Sequence, residues 1–327
     1  MRVAVIGAGY WGTNLVRNFS ALGALGAICD VDPARAASLI ALYPEARIAT
    51  ADAVLEDRDV AAVVIATPAA THGSLARRAL EAGKHVFVEK PLCLDLEEAS
   101  ELGSIARRRG LVLMVGHMLL YHPAYVALRE TVVSGGIGAL RYVYSTRLSL
   151  GKIRREENAL WSFAPHDISM ILDLVGRMPE RLTANGAAFL SPGVADTTLS
   201  HLDFGEGLQA HVFVSWLHPF KDHRMVVVGS EGMIVFDDVQ TGPQKLQLYR
   251  HRVEWNGEIP AVSKAEAEHL PYDAAEPLGV ECRHFLAAIA GGGQPRSDAA
   301  EGIRVLRVLD ACQRSLASGQ PVSIRSD

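Results

Sequence analysis

One short glycine-rich segment near the N-terminus constrains the fold of this chain more than any other feature. It reads GAGYWG over residues 7–12, directly after the apolar run 3–6 and before a pattern typical of an amphipathic helix. Here Gly7 permits a tight turn, Gly9 lets the backbone approach a pyrophosphate, and Gly12 lets the helix pack close to the sheet. The free N–H groups and positive dipole end of that helix can hold phosphate. The predicted dinucleotide site comprises Gly7, Gly9, Tyr10, Trp11 and Gly12.

The first 120 residues alternate short apolar runs with helical patterns. The runs are rich in valine and isoleucine and lie at residues 2–6, 27–30, 62–66, 85–88 and 111–115. Such runs are typical of strands that are buried on both faces of a parallel sheet. Alternating strands and helices indicate right-handed crossovers and a doubly wound sheet. We therefore predict a Rossmann-type, dinucleotide-binding domain over residues 1–120.

The pattern changes from about residue 138 onward. Several strand-like runs follow, some separated by glycine-containing turns, with an early helix predicted at residues 165–175. Successive strands without intervening helices favour an antiparallel sheet. Two more helices close the chain, and Asp298 with Glu301 forms a capping pattern for the last one. The predicted fold class is α/β, with an N-terminal doubly wound parallel sheet and a C-terminal α/β domain over residues 121–327 that has an open, largely antiparallel sheet.

Composition narrows the classes of function. A length of 327 residues suggests two domains, and a net charge of −5 gives no reason to expect a nucleic-acid partner. The longest stretch without formal charge, residues 110–128, contains histidines and a proline, so no membrane span is expected. Four scattered cysteines lack zinc-like spacing, and no metal site is predicted. They indicate a reducing compartment, so we predict a cytoplasmic protein without a secretory signal.

The choice of cofactor depends on Asp30, which ends the second predicted strand. A carboxylate about twenty residues after the glycines can accept hydrogen bonds from the ribose hydroxyls of adenosine. Asp30 and the nearby Asp32 would repel the 2′-phosphate of NADP. Arg35 is the counter-argument, because a nearby arginine could receive that phosphate. We predict NAD as the cofactor.

A lysine follows the fourth of these predicted strands, where residues 85–88 run into Glu89, Lys90 and Pro91. The carboxyl ends of parallel strands form the edge of the sheet at which ligands bind. A lone lysine is usually a solvated surface charge, but Lys90 stands between an apolar strand and a proline at this edge. A functional role is therefore favoured for Lys90.

Four motifs taken together resemble the Gfo/Idh/MocA oxidoreductase family. They are the glycine segment, Ala66-Thr67-Pro68 followed by His72, Glu89-Lys90-Pro91, and Gly116-His117. The match continues through His166 to residues 318–322 and so covers nearly the whole chain. The resemblance implies an oxidoreductase with a Rossmann domain followed by an α/β domain. It also implies that the open sheet forms the subunit interface of a homodimer or homotetramer.

The resemblance also assigns roles to individual residues. It places Thr67, Pro68 and His72 in the cofactor site, Glu89 on the nicotinamide-ribose side, and Lys90 at the catalytic lysine, with a cis bond to Pro91. His166 matches the catalytic histidine of the family. The family usually has an acidic residue four positions earlier, where this chain has Ser162, so the division of roles stays open.

The chemistry of alcohol oxidation suits Lys90 and His166. The hydroxyl proton must leave while a hydride departs from the same carbon. A histidine titrates near neutral pH and can take that proton. A lysine ammonium can stabilise the developing alkoxide, or it can exchange the proton itself if burial lowers its pKa. We favour His166 as the base and Lys90 as its electrostatic partner.

His117 and Tyr121 follow the fifth of these predicted strands, residues 111–115. Either these residues contact the nicotinamide or the substrate, or they form a wall of the hinge between the domains. We include His117 in the predicted cofactor site and Tyr121 in the predicted substrate site.

The segment GKIRREENALW, residues 151–161, directly precedes the predicted helix of His166. Such a charge run is usually a solvated loop, but arginines beside a site can bind a diphosphate. The segment resembles family members that oxidise UDP-N-acetylated sugars at C3, so the predicted substrate is UDP-N-acetylglucosamine. Inositol or a free sugar is the alternative, and a non-catalytic NAD-binding regulator is a minor one. The predicted substrate site comprises Lys90, Tyr121, Arg147, Lys152, Arg154, Arg155, Trp161, Ser162 and His166.

Overall fold

The structure, a computed structural model, describes residues 1–151 and 153–324. Packing divides it into two units, each built from two separate stretches of the chain. The first unit contains Met1–Tyr121 and Ala275–Leu306. The second contains residues 122–274 and the described residues from Arg307 onward. The predicted second domain included residues 275–306, so the packing differs from the prediction in that segment.

The first unit is built on a six-stranded sheet with the order β3-β2-β1-β4-β5-β6. All neighbouring strands in it are parallel. This arrangement confirms the doubly wound sheet, since the strand order reverses between β1 and β4. The strands are β1 (Arg2–Ile6), β2 (Leu25–Cys29), β3 (Arg47–Ile48), β4 (Val60–Ile65), β5 (His85–Glu89) and β6 (Leu113–Gly116).

Helices connect these strands and supply the capping groups that the sequence encodes. Glu301 donates its backbone N–H to Asp298 Oδ1 at 2.8 Å, which confirms the predicted cap of the last helix. The helices of the chain are α1 (Tyr10–Ala21), α2 (Pro33–Ile40), α3 (Ala51–Glu56), α4 (His72–Glu81), α5 (Leu96–Arg109), α6 (Pro123–Val133), α7 (Ala159–Val175), α8 (Pro277–Ile289) and α9 (Ala299–Ser318).

The C-terminal segment belongs to the first unit because it completes that unit's core. Phe285 on α8 packs edge-on against Phe19, with ring centroids 6.4 Å apart, and against Phe87 at 5.7 Å. The backbone N–H of Val115 in β6 donates to the carbonyl of Ser297 at 2.8 Å. These contacts are long-range in sequence, which is why the strand and helix pattern did not reveal them.

The second unit is built on a nine-stranded sheet with the order β16-β13-β12-β11-β7-β10-β9-β8-β17. Only the β7–β10 pair is parallel among its described strands, which confirms the largely antiparallel sheet. Its strands are β7 (Leu140–Leu148), β8 (Arg181–Ala187), β9 (Thr197–Asp203), β10 (Gln209–Ser215), β11 (Asp222–Gly229), β12 (Met233–Asp237), β13 (Leu246–Tyr249), β16 (Glu268–His269) and β17 (Val322–Ser323). A separate hairpin joins β14 (Arg252–Asn256) to β15 (Ile259–Ser263).

Helix α7 packs on this sheet and begins earlier than predicted. The prediction started it at Pro165, whereas the helix begins at Ala159. Asn158 is the reason, because its side-chain oxygen accepts the backbone N–H of Trp161 at 3.2 Å and caps the helix there. Pro165 therefore lies inside the helix, and His166 stands in its middle.

Candidate active site

The glycine segment has the geometry of a tight turn into helix α1. Gly7 has φ +101°, and a Cβ there would lie 2.6 Å from the carbonyl oxygen of Ala66. A Cβ on Gly12 would overlap the carbonyl oxygen of Gly7, so the close approach at Gly12 is to the turn itself. A Cβ on Gly9 would meet nothing within 4 Å. Two glycines are therefore required by packing, and the third leaves the backbone open to a ligand.

The N-terminus of α1 fits the pyrophosphate of a dinucleotide. No side chain caps this helix end, so its first N–H groups remain available to an anion. Asp30, just after β2, accepts the backbone N–H of Ala8 through Oδ2 at 2.6 Å and that of Asp32 through Oδ1 at 2.8 Å. The carboxylate is thus fixed beside the turn, where ribose hydroxyls can reach it. Arg35 forms an ion pair with Asp32 at 3.4 Å.

His72 connects the loops that follow β4 and β5. Its Nε2 lies 2.9 Å from the carbonyl oxygen of Thr67, and its Nδ1 lies 2.7 Å from that of Pro91. The ring is buried. Thr67 Oγ1 in turn lies 2.7 Å from Thr71 Oγ1. In this geometry His72 holds the two loops together, which is an indirect role in a cofactor site. Pro68 lies in the loop after β4.

Glu89 and Lys90 stand at the carboxyl end of β5, and the Lys90–Pro91 bond is cis, as the resemblance implied. The indole N–H of Trp11, in the first turn of α1, donates to Glu89. Burial raises the pKa of Glu89 to about 7, while the Trp11 hydrogen bond and the Lys90 charge lower it. The structure therefore joins the glycine-turn helix to the end of β5 through a carboxyl group that titrates near neutral pH.

His117 and Tyr121 are buried and hydrogen-bonded within the first unit. His117 Nδ1 lies 2.6 Å from Glu301 Oε2. The Tyr121 hydroxyl lies 2.9 Å from Ser297 Oγ and accepts the Ser297 backbone N–H at 3.1 Å. Burial raises the pKa of Tyr121. The Tyr121 hydroxyl thus anchors the C-terminal segment of the first unit, and contact of Tyr121 with the substrate stays a prediction.

In the second unit, His166 lies half-buried on α7 and Ser162, four residues earlier, is buried. Asp167, the residue after His166, forms an ion pair with the guanidinium of Arg147. Arg147 Nε lies 2.6 Å from Asp167 Oδ2, and Arg147 Nη2 lies 3.3 Å from Asp167 Oδ1. Ser145 also donates to Asp167. The ion pair is almost completely buried, with exposed fractions of 8% and 1% for the two side chains.

This ion pair bears on the role predicted for Arg147, which stays a prediction. A diphosphate ligand needs an accessible guanidinium, whereas that of Arg147 is buried against Asp167. The neighbouring ring of His223, with Nδ1 3.0 Å from Arg147 Nη1, has its pKa lowered to about 3 by burial and by that charge. Arg147 is therefore joined to the middle of α7 through Asp167.

In the charged loop before α7, one arginine has an ion-pair partner and another is exposed. Arg154 forms an ion pair with Glu157 at 3.1 Å, and Arg155 is exposed. Trp161 is half-buried and donates its indole N–H to Gln313 Oε1 at 3.1 Å. Lys152 lies outside the described residues. Arg154 and Arg155 thus remain open to the predicted role as diphosphate ligands.

Glu281 is a feature that the sequence reading missed. It stands on the apolar face of α8 with Leu278, Cys282 and Phe285, a spacing that puts a carboxyl group among core side chains. It is fully buried, and neither carboxyl oxygen has a hydrogen-bond partner among the described residues. A carboxyl group on an otherwise apolar helical face was the available signal.

Neither a membrane-spanning helix nor a metal-binding cluster is present in the part of the chain that the structure describes. No helix in it has the length and apolar content that crossing a bilayer requires. Its histidine, cysteine and carboxylate side chains form no group of three that could hold a metal ion.

Comparison with known proteins shows the family of the chain. The family model described as "Oxidoreductase family, NAD-binding Rossmann fold" matches residues 1–117, and the "GFO/IDH/MocA C-terminal domain" matches residues 125–235. UDP-N-acetylglucosamine 3-dehydrogenase of Acidithiobacillus ferrooxidans is 31% identical over 94% of this chain and 94% of its own. Inositol 2-dehydrogenase of Rhizobium meliloti is 27% identical over 99% of both chains.

Solved structures give the same picture. A structure of the Acidithiobacillus ferrooxidans enzyme matches with a TM-score of 0.85 and 30% identity, covering 97% of each chain. The NAD complex of GenD2 from gentamicin A biosynthesis matches with a TM-score of 0.85 and 26% identity, covering 100% of this chain and 97% of its own. The chain therefore belongs to the Gfo/Idh/MocA oxidoreductase family and is a dehydrogenase of CH–OH groups whose Rossmann domain binds NAD.

Proposed function

We propose that this enzyme oxidises a nucleotide-linked sugar, UDP-N-acetylglucosamine, at C3 to the 3-keto sugar. The observation that carries the proposal is the similarity to UDP-N-acetylglucosamine 3-dehydrogenase along 94% of both chains. Two accessible arginines, Arg154 and Arg155, precede the helix of the proposed catalytic histidine and suit a diphosphate. Arg147 has no part in this proposal, because it is buried in an ion pair.

In the proposed chemistry, two side chains act on the alcohol group of the substrate. His166 removes the hydroxyl proton, and the Lys90 ammonium stabilises the developing alkoxide by charge and hydrogen bonding. Bound NAD supplies a hydride acceptor. Asp167, held by Arg147, fixes the turn of α7 that carries His166. Ser162 cannot act as a carboxylate, so this chain carries the proton chemistry without an acidic partner at that position.

Cofactor absorbance tests the proposed substrate. NAD with UDP-N-acetylglucosamine is expected to give a rise in the NADH band, increased by a ketone trap or a coupled aminotransferase because alcohol oxidation is uphill. No rise with the trap present rejects the substrate. Arg154→Ala and Arg155→Ala are each expected to raise KM for the UDP-sugar and to leave NAD affinity unchanged.

The roles of the catalytic pair are tested by Lys90→Ala. Loss of the ammonium removes a group that acts in the transition state, so we expect kcat to fall by about a thousandfold while NAD still binds. Lys264→Ala, a change at an exposed lysine, is the matched control and is expected to behave as wild type. Near-normal turnover in Lys90→Ala would remove Lys90 from the mechanism.

Oxidation of inositol or a free sugar is the second candidate. It is favoured by the similarity to inositol 2-dehydrogenase over 99% of both chains. Turnover of inositol with no turnover of UDP-N-acetylglucosamine would establish this alternative. A non-catalytic NAD-binding regulator is a minor candidate, and the presence of both Lys90 and His166 opposes it.

We also propose a homodimer or homotetramer assembled through the sheet of the second unit. The support is an open groove on this sheet that is lined by Tyr142, Tyr144, Leu199, His211 and Phe213. Light scattering on the purified chain measures the state directly, and a monomer would reject it. A cytoplasmic location remains part of the proposal, since the four cysteines are free and buried.

A further inference from the structure

The first unit brings three glutamates together, and we call Glu89, Glu281 and Glu301 the carboxyl cluster. Glu281 interacts electrostatically with both of the others. Its side chain is 0% exposed, and both of its oxygens lack a hydrogen-bond partner among the described residues. An ionised carboxylate in such a place is strongly disfavoured. Burial, reinforced by the Glu89 and Glu301 charges, accordingly raises the pKa of Glu281 well above its usual range.

The three members have different surroundings. Glu301 has His117 as a partner at 2.6 Å, and Glu281 has none among the described side chains. Glu89 is half-buried, accepts the Trp11 indole N–H, and is followed by Lys90. It is therefore the member with access to a ligand. The titratable and hydrogen-bonding groups that face the cluster from neighbouring elements are Trp11, Lys90, His117, Tyr121 and Cys282.

The sheet places Glu89 on the nicotinamide half of the cofactor site. A dinucleotide lies across the carboxyl ends of a doubly wound sheet with one mononucleotide on each half. Asp30 after β2 marks the adenosine half, so the other half belongs to β4, β5 and β6. Glu89 is the last residue of β5 and is hydrogen-bonded to the first turn of α1.

We propose that the Glu89 carboxyl gains and loses one proton as the charge of the nicotinamide ring changes, while Glu281 stays protonated. The ring carries one positive charge in NAD⁺ and none in NADH. An anionic Glu89 favours the cationic ring, and a neutral Glu89 suits the reduced ring. The inference rests on the proposed function, since only hydride transfer changes the charge of the ring.

The reaction balances with this assignment. The C–H bond at the reacting carbon breaks and its electron pair leaves with hydrogen as hydride to the ring. The hydroxyl proton is taken by the base and passes to solvent, and the Glu89 carboxylate takes up one proton as the ring loses its charge, so one proton is gained for each proton that the substrate loses. The substrate becomes a neutral ketone, the ring loses its positive charge, and Glu89 loses its negative charge. The summed charge of ring and Glu89 is zero before and after the step, which limits the electrostatic cost in a buried site.

Linkage gives the direction of the pH dependence. Without cofactor the pKa of Glu89 is about 7. Binding of NAD⁺ lowers that pKa and releases a proton, so affinity for NAD⁺ rises with pH until the pH exceeds 7 and then levels off. For a bound-state pKa well below 6, the gain between pH 6 and pH 8 is about tenfold. Affinity for NADH has no such rise.

The test measures protons and needs no sugar. NAD⁺ is titrated into the full-length enzyme at pH 7 in weakly buffered solution with an indicator dye, and proton release is recorded. The expected release is about half a proton per site, because Glu89 is half-protonated at that pH. NADH is expected to release none. Equal release with both cofactors, or none with NAD⁺, overturns the proposal.

Two variants assign the proton. Glu89→Gln is expected to abolish the release, whereas Glu281→Gln, which imitates a protonated Glu281, is expected to keep it. Abolition by Glu281→Gln with retention in Glu89→Gln would place the proton on Glu281 and overturn the assignment. Glu266→Gln, at an exposed position, is the control for the substitution itself.

Trp11→Phe keeps the proposal testable if Glu89→Gln does not fold. Loss of the indole N–H removes a hydrogen bond that lowers the pKa of Glu89. NAD⁺ affinity is measured by fluorescence as a function of pH. The midpoint of its rise is therefore expected to move to a higher pH. An unmoved midpoint contradicts the proposal. A proton signal without any sugar turnover would leave the inference standing and reject only the proposed substrate.

Discussion

Each unit of this enzyme contains a group of buried charged side chains, and the two groups are built on opposite principles. In the second unit Arg147 and Asp167 neutralise each other, with Ser145 as a further donor. In the first unit the carboxyl cluster gathers three acids, and Glu281 has no partner among the described residues. A balanced pair can hold a helix in place over a wide range of pH. The unbalanced cluster instead contains Glu89, whose pKa burial raises to about 7, so this one carboxyl group can exchange a proton near neutral pH.

Removal of the cation tests how much the Arg147–Asp167 pair contributes to stability. Arg147→Met leaves Asp167 buried without its cation, so we expect the free energy of unfolding to fall by about 3–5 kcal/mol. Urea denaturation measures the change. Arg250→Ala removes an exposed ion pair with Glu268, and its effect is expected to be below about 1 kcal/mol. Equal stability of wild type and Arg147→Met would show that the pair does not position α7.

The unbalanced cluster is expected to make stability depend on pH. The pKa of Glu89 is about 7 in the folded chain and has an unperturbed value of 4.5. A raised folded-state pKa gives stabilisation that is complete below pH 4.5 and is lost as the pH rises through 7. The free energy of unfolding of wild type, relative to Glu89→Gln, is therefore expected to fall by about 3 kcal/mol over that range. Denaturation at pH 5 and pH 8 measures it, and parallel profiles would contradict it.

The smallest expected effect concerns Glu281. Its buried carboxyl lacks hydrogen bonds among the described residues, so the apolar, similarly shaped Glu281→Met is expected to stabilise the enzyme by about 1–3 kcal/mol. Glu281→Gln, the matched polar variant, is expected to give no such gain. A loss of stability in Glu281→Met would show that the carboxyl has partners, and the contrast between the two units would then disappear.

Much of the first unit could be predicted because its local signals agree. Strands buried on both faces are continuous apolar runs, and the glycine turn has a spacing that few other structures need. Local patterns could not show which distant side chains would contact a given residue. Nothing near Arg147 in the sequence shows that Asp167, twenty residues later, will occupy its guanidinium. Tyr121 is similar, since its partner Ser297 is 176 residues away.

Two local signals were present and went unused. The hairpin of β14 and β15 has the two-residue loop Gly257-Glu258 between the paired residues Asn256 and Ile259. A glycine with positive φ at the first loop position is typical of tight hairpin turns, and Gly257 has φ +66°. Asn158 is a typical N-cap residue and sets the start of α7 six residues before Pro165. Both elements were predictable in physical terms. The partners of buried charges depend on tertiary packing and were not.

The packing of Phe285 against Phe19 and Phe87 has a consequence for how the polypeptide is made. The ribosome delivers the glycine turn first and Phe285 only after more than 260 further residues. Until Phe285 has been made, the core of the nucleotide-binding half is incomplete where Phe285 packs, although residues 122–274 have already been synthesised. A nascent chain of this enzyme therefore completes the core of its cofactor-binding half only after Phe285 has been synthesised, and a fragment cut at residue 121 would expose Phe19 and Phe87 to water.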